Sequence, residues 1–295
     1  MKTSLAAVPY FWSKEQYSQF YSEVAQTDID SVYLGETVCS KRRSMKLNDW
    51  LETAEKLVDA GKQVVFSSMT LLESESEIKY LKSLISKTDG LFEANDMSSV
   101  QLAHQANRPF ASGNAINIYN EYTLQKLHKL GMTRWNVPVE LGKDDISPLI
   151  SPAKQLGIEI EYQVFGRMPL AYSARCFTAR HHKLPKDNCQ FKCSEDIEGI
   201  LVNTREGDSF AQINGIQTQS AKVSNLLKHW QNLHQTGVDI ARIVPVAPDS
   251  TIEVINSLTD AIKHNQAKPS YADNTREYCN GYWFQLAGLE LIEAS

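Results

Sequence analysis

Between residues 31 and 166, short runs rich in β-branched and aromatic side chains alternate with longer stretches whose apolar residues recur at helical spacing. Segment 31–36 (SVYLGE) predicts a strand. In 46–62, Leu47, Trp50, Leu51, Ala54, Leu57 and Val58 share one helical face, and Gly61 stands where a C-cap glycine belongs. Further strands are predicted at 63–70, 90–96, 109–115, 134–140 and 158–166. Helical stretches fall between them: one ending at about 87, then 97–106, 120–132 with Asn120 as N-cap, and a broken helix over 144–157. This alternation predicts an α/β fold with a parallel sheet and crossover helices. An open doubly wound sheet gives the same alternation. The absence of a glycine-rich phosphate loop after the first strand favours closure into a TIM-barrel-like (βα) barrel.

The pattern breaks at 167. Residues 167–198 form an insert rich in Cys, Arg, His, Lys and Pro, and two alternating runs over 199–218 flank Arg205-Glu206-Gly207-Asp208 as a β-hairpin would. A helix at 220–236, a last barrel strand at 239–246 and a helix at 249–264 complete the prediction. With no long linker, the expected organisation is one domain, 1–295, carrying an elaborated loop at the C-terminal face of the strands.

Composition narrows the function. The 295 residues are 42% hydrophobic, enough for a large core without disulfides. The net charge of -5 argues against a DNA-binding protein, although a local basic patch would escape that test. No apolar run approaches the roughly 20 residues of a membrane helix. The N-terminal stretch is closed early by Pro9, Lys14 and Glu15, unlike a signal peptide, so a soluble cytoplasmic protein is expected. In a reducing compartment its five cysteines call for metal binding, catalysis or burial rather than disulfides.

Cys176, Cys189 and Cys193 lie in the insert, and Cys39 lies just beyond the first predicted strand. In a βα barrel all strand C-termini meet at one face, so four thiols could converge there, the number a [4Fe–4S] cluster or a Cys₄ zinc site takes. Simple packing of small buried cysteines is the alternative. Lys41, Arg42, Arg43, Arg175, Arg180, His181, His182 and Lys183 surround these cysteines and are expected to favour thiolates. Cys279 reads as a buried residue of a C-terminal tail, with substitution for Cys39 as a ligand the other choice. Glu36, Glu93 and Glu140 end three strands, where they would either meet a substrate or serve caps and ion pairs. His229 and His234 read as solvent-facing. No HExxH or GxSxG motif is present.

Segments 33–43 (YLGETVCSKRR), 134–141 (RWNVPVEL), 167–193 (RMPLAYSARCFTARHHKLPKDNCQFKC), 213–218 (INGIQT) and 279–292 (CNGYWFQLAGLELI) resemble the UbiV-type ubiquinone-biosynthesis proteins of the U32 peptidase-like family. The resemblance implies a TIM-barrel-type fold and one [4Fe–4S] cluster, whose motif cysteines fall on Cys39, Cys176, Cys189 and Cys193. It also implies a heterodimer with a UbiU-type homologous subunit, a UbiT-type lipid-binding helper, and O₂-independent hydroxylation of the ubiquinone precursor under anaerobic conditions. Other members of the wider family suggest two rivals: a U32-like peptidase, and an RNA or tRNA hydroxylation factor whose basic patch would track phosphates.

Overall fold

The computed structural model of the chain describes residues 1–266, 269, 271, 273 and 275–293. Seven parallel strands come first: β1 (Lys2–Leu5), β2 (Ser31–Leu34), β3 (Gln63–Ser67), β4 (Phe92–Ala94), β5 (Phe110–Ser112), β6 (Met132–Asn136) and β7 (Glu159–Tyr172). They alternate with α1 (Lys14–Val24), α2 (Leu47–Asp59), α3 (Glu75–Lys87), α4 (Met97–Gln105), α5 (Glu121–Lys129) and α6 (Lys143–Gln155). After α7 (Phe177–His181), three strands build a rim: β8 (Ile200–Asn203), β9 (Ser209–Asn214) and β10 (Gln217–Asn225). Then α8 (Trp230–Thr236), β11 (Ile240–Ile243), α9 (Pro248–Lys263) and β12 (Tyr278–Cys279) follow.

Strand β11 pairs in parallel with both β7 and β1, so among the described residues eight parallel strands close into a barrel. The TIM-barrel-like α/β architecture expected from the alternation is therefore present. The pattern between 31 and 166 omitted its first unit, β1 and α1. That unit's sequence signal is Ser13-x-x-Gln16, a reciprocal capping box: Ser13 Oγ accepts from the Gln16 backbone N–H, and the Gln16 side chain accepts from Ser13 N–H. Strands β1 to β7 are almost wholly buried, and Trp12, Phe20, Tyr17 and Trp50 pack edge-on beneath α1 and α2.

Three details differ from the sequence prediction. Helix α6 is continuous despite Pro148 and Pro152, because Ile146, Leu149 and Ala153 bury one face of it against the barrel. Residues 217–225 form β10, not the start of a helix; pairing with β7 on one side and β9 on the other overrides the helical spacing, and the chain turns helical only after Asn225. The insert begins later than 167, since β7 runs on to Tyr172.

That extension matters for the site. The lower half of β7 pairs with β6 and β11 in the barrel, and its upper half pairs antiparallel with β10. The changeover is at Gly166, with φ +113°, where an added Cβ would lie 2.5 Å from the Val244 carbonyl oxygen. Gly166→Ala is expected to lower stability by about 2 kcal/mol or more, through a left-handed backbone and a backbone clash together. An unchanged urea midpoint would show that the strand does not turn there.

Candidate functional site

The basis of the rim is the tight turn Asn214-Gly215-Ile216 between β9 and β10. The Gly215 N–H donates to Thr178 Oγ1 (3.0 Å), and the Phe177 N–H donates to the Gly215 carbonyl (2.9 Å). The turn thereby seats α7, whose N-cap is Cys176. The same turn receives Arg42 from the β2–α2 loop. Arg42 is buried, and its Nη2 donates to Asn214 Oδ1 (2.7 Å) while its Nη1 donates to the Pro9 carbonyl (2.8 Å). An added Cβ on Gly215 would stand 3.0 Å from Arg42 Nη2, so the fit is close.

Arg42 thus fixes the loop that carries Cys39, and its positive charge bears on the Cys193 thiol. Lys41 donates to the Lys186 carbonyl (2.8 Å) and pairs with Asp187 (3.1 Å), which ties the same loop to the segment leading to Cys189. Lys186 in turn pairs with Glu73 and donates to the Ala174 carbonyl (2.7 Å). Between Cys189 and Cys193, Gln190 and Phe191 both hold left-handed φ values near +50°, an uncommon conformation for such residues. Phe191 meets Phe11 at 5.9 Å.

Electrostatically, Cys39 senses Cys176, and Cys193 senses both Cys176 and Cys189. All four thiols are half-buried and free. In number and chemistry they fit a four-thiolate group. As they stand they are not drawn into one coordination sphere: among the described residues, no three His, Cys, Asp or Glu side chains are grouped to hold a metal ion.

The basic surroundings act less strongly than the sequence suggested. Burial pushes the Cys39 and Cys193 thiols up, and it outweighs the opposing pull of Arg42 on both and of the Lys41 backbone N–H on Cys39. Arg43, Arg175, Arg180 and Lys183 are exposed, whereas Arg42 is committed inside. Burial opposes the charge on Arg42, but Glu36, then Cys193 and Cys39, overcome it and raise its pKa.

The three strand-end glutamates divide. Glu36 Oε1 accepts from the N–H groups of Val38 (2.8 Å) and Cys39 (3.0 Å), shaping the cysteine loop, and burial raises its pKa. Glu93 is enclosed and paired with Arg242 at 2.6 Å. Glu140 is exposed and accepts from Tyr119 Oη. His229 is not solvent-facing: its ring meets Phe284 at 4.9 Å, and burial lowers its pKa.

Cys279 packs with Val139 and Met168, wholly buried, with its pKa pushed up to about 12 by burial. Its charged neighbours are Lys222 and Arg167 rather than the other thiols. In metal-free protein a small maleimide is expected to modify four thiols in the native state and the fifth only in denaturant. Peptide mapping that found Cys279 among the fast-reacting set would contradict this placement.

Apart from Glu93, sequence reasoning missed the barrel axis. There Glu161, fully buried, accepts from Ser4 Oγ, Tyr33 Oη (2.8 Å) and Arg242 Nη1 (3.3 Å), and Arg134 donates to Tyr33 Oη (3.0 Å). The available signal was a charged residue inside each of the runs 134–140, 158–166 and 239–246, where a fully buried strand should be apolar.

The model of the family described as peptidase family U32 matches residues 16–280. Among solved structures, the U32 peptidase Mk0906 is 11% identical, with 84% of this chain and 94% of that one covered and a TM-score of 0.46. A protein from Clostridium thermocellum that binds two copies of 5-methyl-5,6,7,8-tetrahydrofolic acid is 11% identical over 90% of this chain and 95% of that one (TM-score 0.45). Rubisco from Pyrococcus horikoshii OT3 is 9% identical over 90% of this chain and 60% of that one (TM-score 0.49).

Proposed function

Because this chain belongs to peptidase family U32, we propose that it is a UbiV-type member. In this reading it supports the O₂-independent, anaerobic hydroxylation of the ubiquinone ring precursor, together with a UbiU-type homologous subunit and a UbiT-type lipid-binding protein. Cys39, Cys176, Cys189 and Cys193 would hold a [4Fe–4S] cluster. The observation that supports it is the joining of the Cys39 loop to the rim through Arg42, which hydrogen-bonds Asn214 of the rim turn and whose charge bears on the Cys193 thiol.

When bound, such a cluster supplies a one-electron redox centre whose potential follows the charge and hydrogen bonds around its sulfurs. The chain's own residues set those conditions. Arg42 brings a buried positive charge close enough to act on the Cys193 sulfur. Glu36 holds the turn from which Cys39 projects. Lys41 and Lys186 close the loops over the rim.

Protein purified without oxygen is expected to show broad visible absorbance and about four irons and four sulfides per chain. Cys→Ser at 39, 176, 189 or 193 should abolish both, whereas Cys279→Ser should retain them. Anoxic ubiquinone synthesis in a strain lacking the chain should be restored by wild type and Cys279→Ser and by none of the other four. Colourless protein with stoichiometric zinc, or with no metal, would sink the redox reading and leave a hydrolytic or interaction role in its place.

A further inference from the structure

The strand path of the sheet has one open end. It runs from β11 through the barrel and the rim to β8, and among the described residues β8 has β9 as its only neighbour. The backbone groups of Ile200–Asn203 on the side away from β9 therefore have no partner among those residues. Folded proteins guard such an edge with lysine, proline or a covering element. Strand β8 reads Ile-Leu-Val-Asn, with no charge and no proline, and the register shift in its pairing comes only after Val202. Leu201, Val202 and Asn203 are all exposed, so no loop of this chain covers the edge.

The side chains of β8 are as bare as its backbone. Successive strand residues point to opposite faces of a sheet, yet Leu201 is 49% exposed and Val202 is 37% exposed. A partner resting on either face would cover one of them. A segment lying along the edge itself touches both. The surroundings point the same way: of the fifteen large apolar side chains exposed among the described residues, seven fall between Leu170 and Phe210, in the rim. Exposed apolar groups gathered in one region mark a contact surface.

The chemistry of the edge selects the occupant. A bilayer cannot pair backbone N–H and C=O groups, and open sheet edges do not face hydrocarbon. Nucleic acid is disfavoured at the hairpin tip, where Glu206 and Asp208 outnumber Arg205 and all three are exposed. An extended polypeptide meets both demands, since its backbone continues the ladder and its side chains alternate onto the two faces.

We infer that β8 is a docking edge: an extended segment of a second polypeptide chain pairs along Ile200–Val202, covers Leu201 and Val202 from both faces, and is basic where it meets the acidic hairpin tip. The identity of that chain rests on the reading above, which makes it the UbiU-type homologous subunit.

Hydrogen exchange of the full chain, alone and with the purified UbiU-type subunit, tests this. The amides of residues 200–203 are expected to exchange about tenfold more slowly in the complex, with β1 to β6 unchanged. Leu201→Lys and Val202→Lys each put a guarding charge on one face of the edge, and each should weaken the complex by about tenfold while the circular dichroism spectrum stays as in wild type. Tyr122→Lys, at an exposed residue of α5, should leave the affinity unchanged. A complex that leaves 200–203 unprotected, or that tolerates both lysines, would overturn the inference and keep the partner. Wild-type protein that forms no complex at all would overturn both. Protection of 200–203 in the chain alone, rising with its concentration and with the mass of two chains, would assign the edge to a second copy instead.

Discussion

Replacing Arg242 with methionine is expected to cost the fold about 3–5 kcal/mol, the usual penalty for stranding buried charges. Arg242 meets Glu93 at 2.6 Å and Glu161 at 3.3 Å, and its guanidinium lies 4.3 Å from the Tyr33 ring. Both glutamates are almost fully enclosed, so neither can recover water when the guanidinium leaves. Native stabilities of about 5–15 kcal/mol leave little beyond such a loss. The damage should be reversible by chemistry: adding Glu93→Gln and Glu161→Gln to Arg242→Met removes the stranded charges and should recover at least half of it. Guanidinium unfolding of the single and triple variants decides the matter. Equal midpoints for wild type and Arg242→Met would mean that the axis network contributes nothing to stability.

Arg42→Ala should produce the second large effect, confined to the rim. The substitution removes hydrogen bonds to Pro9 and Asn214 and the positive charge that acts on Cys193 and on the buried Glu36. Loss of about 2–3 kcal/mol follows from the unpaired partners. Because β1 to β7 do not depend on Arg42, the barrel should persist while residues 173–199 become accessible to trypsin. Arg42→Lys should rescue little, since one ammonium cannot span the two acceptors that the fork reaches. A variant whose rim resists trypsin like wild type would show that the two cysteine-bearing segments are held together by something else.

These two arginines also show what the sequence could and could not disclose. The barrel was legible because strand and helix periodicities are local, and the rim cysteines were found because residue type and strand-end position are local too. Arg42 stood in plain view next to Cys39, yet it reads as a surface charge until Asn214, more than 170 positions later, comes to meet it. Of the Glu161–Arg242–Glu93 set only Glu93 was legible, as a strand-end carboxylate; its partners sit on other strands, and only closure of the sheet makes them neighbours. Strand β10 was misread because its conformation is imposed by β7 and β9 rather than by its own spacing. The raised thiol pKa values depend on enclosure, which composition does not reveal.

The closure of the barrel has a kinetic consequence. Lys2 pairs with Ile240, so the seam between β1 and β11 joins positions 238 apart in sequence. The rim, in contrast, is assembled from β7 to β10, whose partners lie within about sixty positions of one another, as with Phe165 and Asn225. Chain entropy rises with the length of the loop being closed, and long-range pairings form late. The rim sheet and its cysteines can therefore be in place on an open sheet of β1 to β7 before the seam zips shut. A nascent chain still lacking β11 already carries all four rim thiols, so they can be brought to the rim while the protein is still being made.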